Sequence, residues 1–270
     1  MVDNQADQYI EKQYKYDRDQ RRQAWGIAFG LQQADNLTPS KYVETLADEN
    51  ISGVKDYQEI QADLTKYYAD QPVANDRVQE ADFSSVRIAE LLNDETFQLT
   101  PVMLKAIHKH LFKAIPGFDF PVGEYRTGNI SKAERILNDA TVQYTSAFLI
   151  EDTIQYEMDM ENKFDFTALT PEEIGDHVMR FISSLWQVHA FREGNTRTLA
   201  VFALKYLQSL GFEQINNQPL AEHATYFRDA LVAANAPQAV QTKQYLQAFT
   251  QNLLFKGTAD IDQVPILNKI

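Results

Sequence analysis

His189, Phe191, Glu193, Gly194, Asn195 and Arg197 fall within the nine-residue stretch HAFREGNTR. An imidazole titrates near neutrality and suits a general base. A carboxylate such as Glu193 is an oxygen ligand for Mg2+, the usual companion of phosphates. Arg197 carries a forked, permanent positive charge that matches a phosphate group. The Asn195 amide can donate to a charged oxygen, and Gly194 lets backbone approach a ligand closely. Side by side, these types describe phosphate-anhydride chemistry, in which a nucleotide is held and a hydroxyl is activated to attack it. Alone, His189 would read as a helix-end packing residue and Glu193 as an ordinary loop carboxylate. Their common bend is what favours chemistry.

The elements that must position this bend are helices. Upstream, LTPEEIGDHVMRFISSLWQVH offers Thr170 as a cap, Pro171 at the first helical position and two early glutamates. Ile174, Val178, Phe181, Ile182 and Leu185 form its apolar stripe. Downstream, Leu199, Phe202 or Ala203, and Tyr206 restart a helix, so the bend sits at a helix N-terminus, where free N–H groups favour an anion. Thr100 and Pro101 start a further helix with Leu104, Ile107, His108 and Leu111 on one face. Thr38 and Pro39 start another, and Trp25, Ala28 and Leu31, then Ile60, Leu64 and Tyr67, keep the same period. Residues 116–142 break the pattern with Pro116, Gly117, Pro121, Gly123 and Gly128, and YRTGNIS and RILN there predict a small hairpin. The expectation is an all-α bundle with one small β-hairpin flap, and no internal repeat. A weak composition change near 69–76 divides a front segment, 1–70, from a body, 71–256. A tail, 257–270, reads as a docking strap or as loosely ordered chain.

The 270 residues carry a net charge of −13, are 44% hydrophobic and include no cysteine. That excludes disulfides and cysteine zinc sites, and such a surface repels nucleic acid. DRDQRR at 17–22 reads as a solvated helix face rather than a nucleic-acid arm. The first residues lack the apolar core of a signal peptide, and no stretch has the length of a membrane span. The expectation is a cytoplasmic protein without membrane or nucleic-acid partners. His108 and His110, two apart on a helix, face different ways, which predicts a core contact and a solvent-facing residue rather than a metal pair.

HAFREGNTR resembles the signature loop of the Fic family, H-x-F-x-[DE]-G-N-x-R, at all six fixed positions. The resemblance extends to LTPVMLKAIHKHLF, VGEYRTGNIS and YFRDALVAA, and covers roughly 75–255. It implies a Fic-type helical fold and transfer of a nucleoside monophosphate, AMP by family default, from a Mg2+-bound nucleotide (ATP or another) to a hydroxyl of a target protein. By that resemblance His189 is the catalytic base and Glu193 holds Mg2+. Gly194, Asn195, Thr196 and Arg197 bind phosphates, and Phe191 anchors the loop in the core. Arg126, Thr127, Asn129 and Ile130 belong to the flap that aligns the target segment by strand-like pairing. Arg126 and Asn129 also read simply as stabilisers of that turn.

Three departures stand out: Ala190 where the family has proline, Thr196 where glycine is common, and Ala200 where many members carry a second arginine. Losing that charge-assisted bond weakens the hold on ATP by about 1.5–3 kcal/mol. A scaffold that binds without turnover, and removal of AMP by the same loop, are therefore alternatives. Residues 24–70 resemble the small helical antitoxin of the VbhA type. Its inhibitory glutamate motif is replaced by Asp35 and Asn36, a degenerate version whose partner arginine is also missing. TLADEN at 45–50 resembles the motif by coincidence. The expectation is a front segment that packs on the catalytic body yet inhibits poorly.

Overall fold

The computed structural model describes residues 17–72, 77–212 and 214–267. The described residues form eleven α-helices and no strand, so the all-α expectation holds. In chain order they are α1 (Arg18–Gln33), α2 (Lys41–Ile51), α3 (Tyr57–Tyr68), α4 (Val78–Leu92), α5 (Pro101–Phe112), α6 (Ile150–Asn162), α7 (Pro171–Val188), α8 (Asn195–Ser209), α9 (Gln218–Glu222), α10 (Ala224–Ala234) and α11 (Gln244–Leu254).

Helix starts follow the local chemistry at two of the three threonine-proline sites. The Thr100 hydroxyl accepts from Met103 N–H, with Pro101 opening α5. Thr170 and Glu173 form a reciprocal capping box at α7, with Pro171 first. At the third site the helix begins two residues later than the sequence suggests. Ser40, not Thr38, caps α2, because its hydroxyl accepts from Val43 N–H and also donates to Asp82 Oδ2 at 2.5 Å. Asp82 is fully buried and also accepts from Ser40 N–H and the Tyr68 hydroxyl, so α4 decides where α2 starts.

α8 is buried along nearly its whole length, with α7, α5, α4 and α1 against it. α1 packs on α4, α9 and α10, and one apolar cluster runs from Ala24 to Val264. Cations cap several helix C-termini from inside the protein. Arg21 donates to Ile51 O of α2, Arg87 to Leu111 O and Lys113 O beyond α5, and Lys205 to Leu91 O of α4 at 2.9 Å. The basic run at 17–22 is thus only partly solvated: Arg21 is buried, because a helix end lies where it can answer the carbonyls.

Gly30 sits where α1 crosses α9. A Cβ there would lie 2.3 Å from the carbonyl oxygens of both Leu220 and Ala221. Backbone cannot yield as a side chain can, so Gly30→Ala is expected to destabilise the fold by about 1–3 kcal/mol. Urea titration of the two proteins reads this directly.

The hairpin expected near 126–136 is absent among the described residues. RIL at 135–137 is a turn of 3-10 helix, closed by left-handed Asn138 and Asp139 and by Glu134 N–H on Ala140 O. The polar groups that would have built a ladder have other partners. Arg126 N–H bonds Ala190 O, and Lys132 N–H bonds the Thr141 hydroxyl. Ile136 and Leu137 are drawn into the core instead. The tail docks on this turn: Leu267 N–H bonds Ile136 O at 2.7 Å, and Val264 is fully buried.

Candidate active site

α7 ends in Val188, and His189 takes the left-handed conformation, φ 50°. This is uncommon for a residue with a Cβ and needs support from outside. Arg126 supplies it: Nε donates to His189 O at 2.8 Å, Nη2 to Val188 O and Thr145 O, and Nη1 to Gly128 O. Arg126 therefore fastens the end of α7 to the 126–145 loop. Asn129 does the same one step on, its Oδ1 accepting from Ala147 N–H at 2.8 Å. Both bond within the loop's own structure. Thr127 is exposed, and Ile130 is half-buried on the cavity described below.

The bend is held by its own amide. Asn195 Oδ1 accepts from Phe191 N–H at 2.9 Å and Nδ2 donates to Phe191 O at 2.8 Å. That donor is engaged within the loop rather than presented to a ligand. The Thr196 hydroxyl accepts from Trp186 Nε1, so the residue in place of the common glycine ties α8 to α7. Gly194 is required twice. Its φ is +74°, and a Cβ would lie 2.4 Å from the Phe112 ring.

His108, read from sequence as a core contact, also supports the bend. It is fully buried, stacks on Phe191 with ring centroids 3.9 Å apart, donates from Nε2 to Glu193 O and accepts Gly123 N–H at Nδ1. That pairing requires a neutral ring, and burial pushes its pKa down to about 4.

Asp35, Ile130, Ser131, Lys132, His189 and Arg192 join residues 193–196 around a cavity of about 140 Å³ over the N-terminus of α8. His189 is buried there, its Nδ1 without a hydrogen-bond partner among the described residues. Tyr144 packs on the imidazole at 4.5 Å between centroids. Burial, then the charges of Lys132 and Arg126, drive the His189 pKa down to about 3, while Asp35 pulls the other way. The ring is neutral at physiological pH. Both histidines have folded values below the ordinary 6.5. Between the two values the unfolded chain binds protons that the folded chain refuses. Their contribution to stability is therefore intact above about pH 6.5 and declines as pH falls below it. The expected NMR result is that neither imidazole titrates between about pH 8 and 5; a midpoint near 6.5 for either ring would contradict the burial argument.

Arg197 lies elsewhere. It is fully buried, does not line the cavity, and stacks over Phe112. Its Nη2 donates to Glu80 Oε1 and its Nη1 to Gln32 Oε1. Nε lies 2.7 Å from Asp35 Oδ2, a charge contact rather than an aligned hydrogen bond. Arg77 grips Glu80 with two bonds of 2.7 Å and lies 3.9 Å from Glu193. Charges thus alternate from the end of α1 through α8 and α4 to the bend.

Asp35 is aimed by the stop signal of α1. Asn36 is left-handed, φ 56°, and around it Leu37 N–H bonds Gln32 O and Asn36 N–H bonds Gln33 O. Asn36 itself is exposed. Asp35 thus reaches the site, and Asn36 shapes the turn.

Glu193 caps its neighbour, Oε1 accepting from Gly194 N–H at 3.2 Å. Among the described residues no group of three or more His, Cys, Asp or Glu side chains could hold a metal ion unaided. A single half-buried carboxylate at an anion-sized cavity fits Mg2+ as the companion of a phosphate, not as an independent ion. The cavity is smaller than the 300–1,000 Å³ of ordinary ligand pockets.

Sequence reasoning passed over Lys132, Arg192, Glu80, Gln32 and Tyr144. Arg192 stood at a variable position inside the signature. The others lie well away from it in sequence, and only the fold brings them near.

No helix among the described residues is long and apolar enough to cross a membrane. No curated protein matches the chain. Residues 98–207, from just before α5 to the end of the apolar run of α8, match the model of the Fic/DOC family, and the matched stretch includes the bend, its supporting helix and the 126–145 loop.

Proposed function

We propose that the chain is a Fic-type transferase that moves a phosphate-containing group, AMP by family default, from a Mg2+-bound nucleotide to a hydroxyl of a target protein. The observation that carries this reading is the neutral, unpartnered imidazole of His189 on a phosphate-sized cavity at the N-terminus of α8. His189 takes the hydroxyl proton on a ring nitrogen. The freed oxygen attacks the α-phosphorus, and the anhydride bond breaks so that pyrophosphate leaves with its electron pair. The N–H groups of Asn195 and Thr196 at the start of α8 and the side chains of Lys132 and Arg192 receive the phosphate charge. Glu193 would hold Mg2+, which supplies charge neutralisation on the phosphates.

On this reading residues 71–256 perform the chemistry, the described part of the tail, 257–267, straps the loop, and the antitoxin-like front segment, 1–70, supplies Asp35. Asp35 and Glu80 keep Arg197 from reaching a phosphate. Freeing one carboxylate leaves Glu80 and Gln32 in place, so Asp35→Asn is expected to raise self-modification less than tenfold, under about 1.4 kcal/mol. A larger rise would mean that the front segment is a strong inhibitor.

The test is incubation with α-labelled ATP, GTP, CTP or UTP and Mg2+. Covalent label on the protein supports transfer and names the donor. A rise in melting temperature with one nucleotide and no label supports the second reading, binding without turnover, which the burial of Arg197 favours. Loss of AMP from a pre-modified target supports the reverse reaction.

A further inference from the structure

α6 is apolar on two faces. Ile150, Ile154 and Met158 are buried against the bundle, as an amphipathic helix requires. Its outer face should then be polar. Instead Phe148 is 81% exposed, Tyr156 62% and Met160 51%, with Leu149 and Phe164 also exposed. Leu149, Tyr156, Met160 and Phe164 recur at intervals of seven, four and four residues, which places them along one edge. Half of the ten large apolar side chains exposed among the described residues fall in this one element and its flanks. Scattered exposure needs no explanation, but a contiguous stripe does.

The rim of the stripe is mostly acidic, with Lys163 beside Phe164 the exception. α6 contains Glu151, Asp152, Glu157, Asp159 and Glu161 and no lysine or arginine. Glu151, Asp152 and Asp159 are exposed beside the apolar edge. A second copy of this face would set acid against acid, and an anionic lipid surface would be repelled. The stripe also starts at the loop that closes the candidate site. Ala147 N–H bonds Asn129, and Arg126 bonds Thr145 O, so Phe148 and Leu149 follow directly on the segment fastened to His189.

We infer that the outer face of α6 is a docking surface for a basic amphipathic helix of a protein partner, with apolar anchors on the stripe and Lys or Arg against the acidic rim. It rests on the transferase reading only in naming that partner as the target, whose neighbouring hydroxyl docking brings to the 126–131 loop. Recognition here pairs the apolar faces of two helices, with flanking charge setting the sign of the partner.

The experiment uses the full chain and a fluorescent leucine–lysine amphipathic peptide about four turns long, with a leucine–glutamate peptide as control. Wild type is compared with Tyr156→Ser combined with Met160→Ser, both exposed positions whose change leaves the melting temperature in place. The expected result is binding of the basic peptide alone, weakened by salt, and at least about tenfold weaker in the double variant. Equal binding by the variant would overturn the proposal, since attraction to a −13 chain would then explain everything. So would equal binding of the acidic peptide, or a dimer in light scattering that the variant dissolves. No nucleotide is present, so the outcomes separate. Peptide binding without label transfer sinks the transferase reading alone; transfer without peptide binding sinks the docking face alone.

Discussion

His189→Ala is expected to lower label transfer by about 10²–10⁴-fold while leaving the fold and nucleotide-induced stabilisation near wild type. The range follows from the role: a positioned base contributes that much to proton removal, and alanine offers no group to replace it. The fold should tolerate the change, because Nδ1 of the His189 side chain is a buried atom with no aligned hydrogen-bond partner among the described residues. Removing it relieves a polar burial even as Tyr144 loses a ring contact at 4.5 Å. The backbone of residue 189 keeps its bonds to Arg126 and Trp186, so the bend keeps its shape. Measurement is by single-turnover transfer with the donor found above, alongside thermal melting. A variant that transfers at the wild-type rate would remove His189 from the mechanism.

Arg197→Leu is expected to act on stability. Arg197 is fully buried among Asp35, Glu80 and Gln32, and its loss leaves carboxylates facing one another without their shared cation. Breaking a buried pair on one side costs about 3–5 kcal/mol. At roughly 2–4 °C per kcal/mol, the melting temperature falls by roughly 6–20 °C. Arg77 still reaches Glu80, which places the effect toward the lower end. Adding Asp35→Asn and Glu80→Gln to Arg197→Leu should return much of the loss, because the unpaired charges are then gone. Were Arg197→Leu neutral while transfer collapsed, the guanidinium would be a phosphate ligand rather than the centre of a structural charge network.

Much of the site was readable before any fold was known. Gly194, Glu193 and His189 share one short loop, and local spacing is visible in a sequence. The helices flanking the loop were readable for the same reason, since caps such as Thr170 and Thr100 act within a single turn. The failures have a common cause. The expected hairpin rested on turn residues and short apolar runs, which specify a bend but not which partner takes the backbone bonds. Ala190 and Thr141 took them, and Ile136 and Leu137 went to the core. The helix start at 38 shifted to Ser40 because Asp82 is forty-two residues away in the chain and 2.5 Å away in space. Arg197 was read as a phosphate grip because its type and position suit one. Whether a guanidinium meets a ligand or its own chain depends on what α1 and α4 bring alongside.

The sequence by itself determined the helical class, the helix–bend–helix at 171–209 and the set of groups able to do chemistry there, because periodicity, capping and motif spacing are local properties. Tertiary structure decided which of those groups face the cavity. It paired Arg197 with Glu80 of α4 and with Asp35 from the turn after α1, lent the cavity Lys132, and lowered the imidazole's affinity for a proton by taking it out of water. Charge pairing and desolvation depend on distance in space, and distance in space is what a linear sequence does not carry.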